Sequence, residues 1–195
     1  MRLISPYALR AGAIKPNPKT ATDLGCGTGL SMYMLDSKWP TLESITGIDL
    51  STYKLACCEA KKELMSPSKA SRYSLLHGPA EDTPIPDDSQ DLVSLCLVAH
   101  ESPRWVSENI FAEAFRILKP GGSFTLLDLD KENLEVLLVN PFVAAIYKQT
   151  EPYMQEYISL CPRDDLEKAG FEVTAEENAS KSHRVFVAKK PEVTV

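Results

Sequence analysis

Asp23-Leu24-Gly25-Cys26-Gly27-Thr28-Gly29 follows an apolar run at 20–24 and precedes a segment of helical period at 30–37. A glycine-rich turn between a strand and a helix is where an open α/β sheet takes ligands, beyond the carboxyl ends of its strands. The glycines serve because a Cβ would block both the tight turn and the approach of a ligand to the backbone. A second acid, Asp49, stands twenty residues past Gly29, at the end of a predicted strand over 44–48. A carboxylate there can accept hydrogen bonds from both hydroxyls of a ribose. A dinucleotide pattern would place Gly or Ala at position 30, where the chain has Leu30. The spacing is GxGxG, which suits a single nucleoside with an amino-acid tail better than a pyrophosphate on a helix N-terminus.

Outward from this turn, apolar runs alternate with helical-period segments almost to the end of the chain. That alternation predicts an α/β fold, a Rossmann-like, doubly wound, mainly parallel seven-stranded sheet. Ser51 is placed to cap a helix carrying Leu55, Ala56 and Leu64, with Pro67 as its stop. Further strands are predicted over 72–76, 92–98 and 123–127, and the almost wholly apolar fourth run reads as buried on both faces. A helix over 107–118 is expected to end at Lys119-Pro120-Gly121-Gly122, because proline cannot continue a helix and glycine supplies the turn. Residues 132–157 read as one or two helices broken by Pro141 and Pro152, and 164–169 as a short helix closed by Gly170. Runs at 171–175 and 184–188 then predict a C-terminal antiparallel hairpin.

A chain of 195 residues that is 44% hydrophobic buries one sizeable core and is short for two ordinary domains. The expectation is one domain over 1–195, divided into a lead-in at 1–19, a cofactor-binding core at 20–128, and substrate-side helices with terminal strands at 129–195. The net charge is −6, with 27 acidic against 21 basic side chains and no basic stripe, which argues against nucleic acid as a partner. Five cysteines without a CxxC pair fit a reducing compartment, and His77, His100 and His183 lie too far apart in sequence to suggest a metal. No apolar run reaches the roughly 20 residues a membrane-spanning helix needs. The first 22 residues carry Arg2, Arg10, Lys15 and Lys19 and no acid. That composition fits either a weak organelle transit peptide or a lead-in packed near the site of a cytoplasmic protein.

DLGCGTG at 23–29, GIDLS at 47–51, GPAEDTPIPDDSQDLVSL at 78–95 and RILKPGG at 116–122 together resemble the class I methyltransferases, particularly those related to quinone-biosynthesis C-methyltransferases. The likeness spans about 20–128. It implies S-adenosyl-L-methionine as cofactor and a small-molecule methyl acceptor. Asp23 would fix the turn and meet the methionine ammonium, Gly25 and Gly27 would line methionine and ribose, and Cys26 and Gly29 complete the same turn. Cys26 reads as a small apolar side chain within it. Asp49 would hold the ribose hydroxyls and Leu50 would pack on adenine. Where many relatives have Gly-Asp-Ala, this chain has Gly78-Pro79-Ala80, so Glu81 or Asp82 would replace the lost acid beside the Ala80 amide.

Val98, Ala99 and His100 fall where the family's fourth strand opens towards the sulfonium. His100 and Glu101 form the candidate catalytic pair, base and orienter, since a neutral imidazole can take a proton from an attacking group. The competing reading has His100 only capping a strand or lining the cofactor, because methyl transfer often needs little beyond alignment. Phe142, Tyr147, Tyr153, Met154 and Tyr157 either enclose an apolar or ring-bearing acceptor or belong to the core. The rival function is a non-catalytic domain that binds S-adenosylmethionine, or its demethylated product, and acts through a partner protein. Pro79 and the short lead before the first strand feed that rival. They leave open an exposed site, a homodimer or completing partner, or a truncated product. An oxidoreductase, the third class, would bind NADH.

Overall fold

The computed structural model describes residues 14 and 16–192. The lead-in expected near the site therefore lies almost wholly outside the described residues. The strands are β1 (Thr20–Leu24), β2 (Ser44–Asp49), β3 (Tyr73–His77), β4 (Gln90–Cys96), β5 (Leu118–Leu129), β6 (Glu172–Asn178) and β7 (His183–Lys189). They form one seven-stranded sheet in the order β3-β2-β1-β4-β5-β7-β6. β1 pairs in parallel with β2 and β4, β2 with β3, and β4 with β5, while β7 runs antiparallel to both β5 and β6. The expected mainly parallel sheet with a C-terminal antiparallel hairpin is the observed one. The chain winds outward from β1 to β3 and returns to place β4 on the other side of β1, which makes the switch point where such sheets open a crevice.

Helices α1 (Leu30–Lys38), α2 (Thr52–Glu63), α3 (Pro67–Ala70) and α4 (Arg104–Ile117) connect the parallel strands. Ser51 caps α2 as its sequence suggests, its hydroxyl accepting from the Lys54 N–H at 3.3 Å. One face of the sheet buries Leu24, Val93, Leu95 and Phe124 against Ile110, Phe111 and Ala114 of α4. The other buries Ala21, Ile45 and Leu92 against Met32 and Leu35 of α1. Leu92, Val93 and Leu95 are all fully buried, which explains why β4 reads as a continuous apolar run instead of an alternating one.

Several boundaries differ from expectation. β4 stops at Cys96, because Leu97 turns into the left-handed region (φ 58°) and gives its N–H to the Leu127 carbonyl at 2.9 Å. α4 starts at Arg104, directly after Pro103, and is over by Ile117. Lys119-Pro120-Gly121-Gly122 is not a separate turn but the start of β5, kinked at Gly121 (φ 73°), with the pairing register to β4 shifting between Gln90 and Leu92. Pro67 opens α3 instead of ending α2, which has finished at Glu63.

The segment expected to hold one or two helices contains α5 (Lys131–Leu138), α6 (Pro141–Thr150) and α7 (Met154–Ser159), followed by α8 (Pro162–Lys168). Pro141 begins α6 and does not break it, since a missing N–H does no harm at a first turn. The Asn140 side chain caps that turn by accepting from the N–H groups of Phe142 and Val143. Among the described residues no helix is long and apolar enough to cross a membrane.

Candidate functional site

The glycine turn is tied to the end of β2 by backbone and by carboxylate. Cys26 gives its N–H to the Ile48 carbonyl at 2.9 Å, and Gly27 gives its N–H to Asp49 Oδ2 at 2.8 Å. Asp49 Oδ1 accepts from the Ser51 N–H, also at 2.8 Å, so one carboxylate joins the turn to the start of α2. Gly25 stands at φ 68°, and a Cβ there would lie 2.6 Å from Val98 Cγ2. Glycine is thus required at 25 both by its dihedral and by the close approach of the β4 end.

A cleft of about 370 Å³ opens at this switch point. That volume falls within the range of small-molecule sites. Of the residues expected to bind cofactor, Gly25, Asp49, Leu50, Ala80, Glu81 and Val98 line it. Glu101, one member of the expected catalytic pair, also lines it. Three carboxylates (Asp49, Glu81 and Glu101) face a single lysine, Lys54, among the lining residues, an imbalance that favours a cationic ligand. The acidic loop that carries Ala80 and Glu81 is held in place by Glu113 of α4. Glu113 accepts from the Thr83 N–H at 2.8 Å and is itself paired with Arg116 at 2.7 Å.

The remaining expected residues lie outside the cleft wall. Asp23 is fully buried beneath the turn, where the hydroxyls of Ser31 and Ser94 donate to its carboxylate. Burial pushes its pKa up to about 6; the two serine hydrogen bonds restrain the rise and the nearby Asp49 charge adds to it. Cys26 packs downward with Met32 and Leu35 of the core, and burial drives its thiol pKa far up, so it is a packing residue. Gly29 faces α2, where a Cβ would meet Cys58 Sγ at 2.8 Å; its role is helix packing. Gly27 meets Asp49 through its amide. Asp82 is exposed and does not line the cleft, so of the two substitutes for the lost acid Glu81 is the one that reaches it.

The expected His100–Glu101 pairing is corrected. A 3-10 turn at Ala99–Glu101 follows β4, and in it the two side chains part. Glu101 faces the cleft, whereas His100 is buried and its Nδ1 lies 2.6 Å from Asp128 Oδ1 at the end of β5. Burial pulls the imidazole pKa down, but the hydrogen bond and charge of Asp128, with Glu101 and Glu151 behind them, outweigh it and leave it above the ordinary histidine value. Asp128 is therefore the neighbour of His100 that sequence reasoning missed. Its signal was its place at the carboxyl end of a parallel strand.

Lys54, Leu97 and Ser102 also line the cleft without having been foreseen. Nothing in residue type marks Leu97, whose position depends on its left-handed backbone. The aromatic segment is divided: Met154 and Tyr157 are core, Phe142 is 81% exposed, and none of the five lines the cleft.

Comparison with known proteins places this geometry in context. Residues 22–126, more than half of the chain, match the family model described as "Methyltransferase domain". The chain is similar to the demethylmenaquinone methyltransferase of Bacillus licheniformis, 31% identical over 120 residues, which is 61% of this chain and 48% of that protein. It thus spans about half the length of the curated relatives it matches. Its fold is similar to that of a SAM-dependent methyltransferase of Methanosarcina mazei, with a TM-score of 0.68 at 19% identity, covering 91% of this chain and 95% of that one. It is also similar to geranyl diphosphate methyltransferase in complex with SAM, with a TM-score of 0.69 at 15% identity, covering 92% and 80% of the two chains.

Proposed function

Because the chain belongs to the methyltransferase-domain family, we propose that its cleft binds S-adenosylmethionine and that it transfers the methyl group to a small, partly apolar acceptor. In this reading 20–128 is the cofactor-binding core and 129–195 the acceptor side of a single domain. The observation that carries it is the acidic cleft at the switch point, with Gly25 and Asp49 at its wall. Those features fit a nucleoside bearing a sulfonium and an ammonium group. Asp49 and Leu50 would hold ribose and adenine, Glu81 and the Ala80 amide would meet the adenine edge, and Gly25 with Val98 would flank the methionine. The bound cofactor supplies a methyl group on a positively charged sulfur.

This chain's residues would bind and orient it, and Glu101 at the cleft wall, with His100 behind it, would align the acceptor and take its proton. Demethylmenaquinone, in the name of the Bacillus relative, is the first acceptor to test, supplied reduced because the quinol ring is the electron-rich form. Calorimetric titration of the purified chain tests the cofactor. S-adenosylmethionine should bind, and Asp49→Ala, shown to be folded by circular dichroism, should bind at least tenfold more weakly. Binding of NADH in its place, or no binding by the unaltered chain, overturns the reading.

A further inference from the structure

We propose that Asp128 is the positioning residue of the acceptor side: it holds His100 with its proton on Nδ1, leaving the Nε2 lone pair as the proton acceptor of the transfer. The inference rests on the methyl-transfer reading above. Asp128 is 3% exposed, and each of its oxygens is engaged. Oδ2 accepts from the Ala99 N–H at 2.9 Å, and Oδ1 takes both the Leu129 N–H at 2.7 Å and His100 Nδ1 at 2.6 Å. A carboxylate that only accepts obliges the facing ring nitrogen to donate, so the tautomer follows from the partner. The Leu97 N–H meets the Leu127 carbonyl just before, so three consecutive contacts clamp the 3-10 turn to the end of β5.

That clamp lies behind the cleft wall. Val98 and Glu101, on either side of the clamped residues, line the cleft, and the His100 side chain keeps 11% of its surface accessible. Tyr157 of α7 meets the imidazole edge-on at 6.2 Å and gives its hydroxyl proton to the Leu129 carbonyl, which fixes the ring from a second side. Among the described residues, the charged and titratable groups around the ring are Asp128 on β5, Tyr157 on α7, His183 on β7, Glu101 in its own turn and Glu151 between α6 and α7. Of these, Asp128 alone is hydrogen-bonded to the ring. In the transfer, the acceptor gains the methyl carbon as the carbon–sulfur bond breaks and its electron pair stays on sulfur. The acceptor's proton passes to Nε2, and the resulting imidazolium is balanced by Asp128. No further oxidant or reductant is needed.

Asp128→Asn separates this role from simple support. An amide can still accept from the Ala99 N–H, but its NH₂ donates towards Nδ1 and drives the ring proton to Nε2, the orientation in which the base is lost. Nitrogen-15 NMR of the histidines, assigned with His100→Gln, should show the Nδ1–H tautomer in the unaltered chain and Nε2–H in Asp128→Asn. Turnover of reduced demethylmenaquinone should lose about a hundredfold or more in kcat with KM little changed. The acid limb of the kcat profile should move to lower pH, since removing the anion lowers the imidazole pKa. An Nε2–H tautomer in the unaltered chain overturns the inference even if the variant fails to fold. So do an unchanged kcat and an unmoved acid limb in a folded variant. Failure of the methyl-transfer reading shows separately, as absent binding of S-adenosylmethionine in calorimetry.

Discussion

At Asp23 the turn carries a carboxylate with no exposed surface, satisfied by two serine hydroxyls and lying close to the Asp49 charge. With a folded-state pKa of about 6, against about 4 in an unfolded chain, the folded state holds the proton more tightly. Stability is therefore greater at low pH and is lost as pH rises from about 4 through 6, by about 3 kcal/mol for a shift of roughly two units. Asp23→Asn should raise the melting temperature at pH 8 by roughly 5 °C, and the difference should shrink to about half near pH 5 and vanish by about pH 3.5. Thermal scans at about pH 8 and about pH 3.5 check this; an equal gain at both would mean that the buried charge is not the cause. The identity of Asp23 and its place beside the turn are plain in the sequence. Its complete burial is not, because Ser31 and Ser94 come from α1 and β4 and meet it only on folding.

Between elements, the close approach of α1 to β2 depends on Gly47. A Cβ there would lie 2.4 Å from Met32 Sδ and 2.8 Å from Cys26 Sγ. The methionine end is flexible, so Gly47→Ala should cost about 1–3 kcal/mol, the usual penalty of overpacking, without preventing folding. Urea unfolding measures it, with Gly78→Ala as control, since a Cβ at 78 meets nothing within 4 Å. A control as destabilised as the test would show that loss of glycine, not crowding, is responsible. The strands and the hairpin were legible because burial on both faces and periodicity are local signals. The end of β4 was not, because Leu97 turns through a left-handed dihedral that only the clamp to β5 holds in place. The interruptions near Pro141 and Pro152 were legible, but not that the segment holds three helices with Pro141 opening one of them, since proline is equally at home at the first turn of a new helix.

Across the whole molecule, Phe124 of β5 joins the two halves of the larger core. It meets Phe111 of α4 edge-on at 6.1 Å and stacks on Phe171, which precedes β6, at 5.4 Å. Phe124→Ala removes a fully buried ring at the point where the parallel sheet meets the antiparallel hairpin. The expected loss is about 3–5 kcal/mol in denaturant unfolding, because the surrounding helices and strands cannot collapse into the space. A loss below about 1 kcal/mol would mean that the C-terminal hairpin packs independently of α4.

The amino-acid sequence by itself determined the sheet, the glycine turn and Asp49 at the end of β2. Each is written in residues close together or in a period that folding preserves. The partners of His100 and Glu101 were decided only by the tertiary structure. Glu101 follows His100 in the chain, yet a tight turn sends their side chains apart, one to the cleft and the other to Asp128, 28 residues away on β5. Neighbours in sequence share a turn, but neighbours across parallel strands share the ends of the sheet, and it is there that this fold assembles its chemistry.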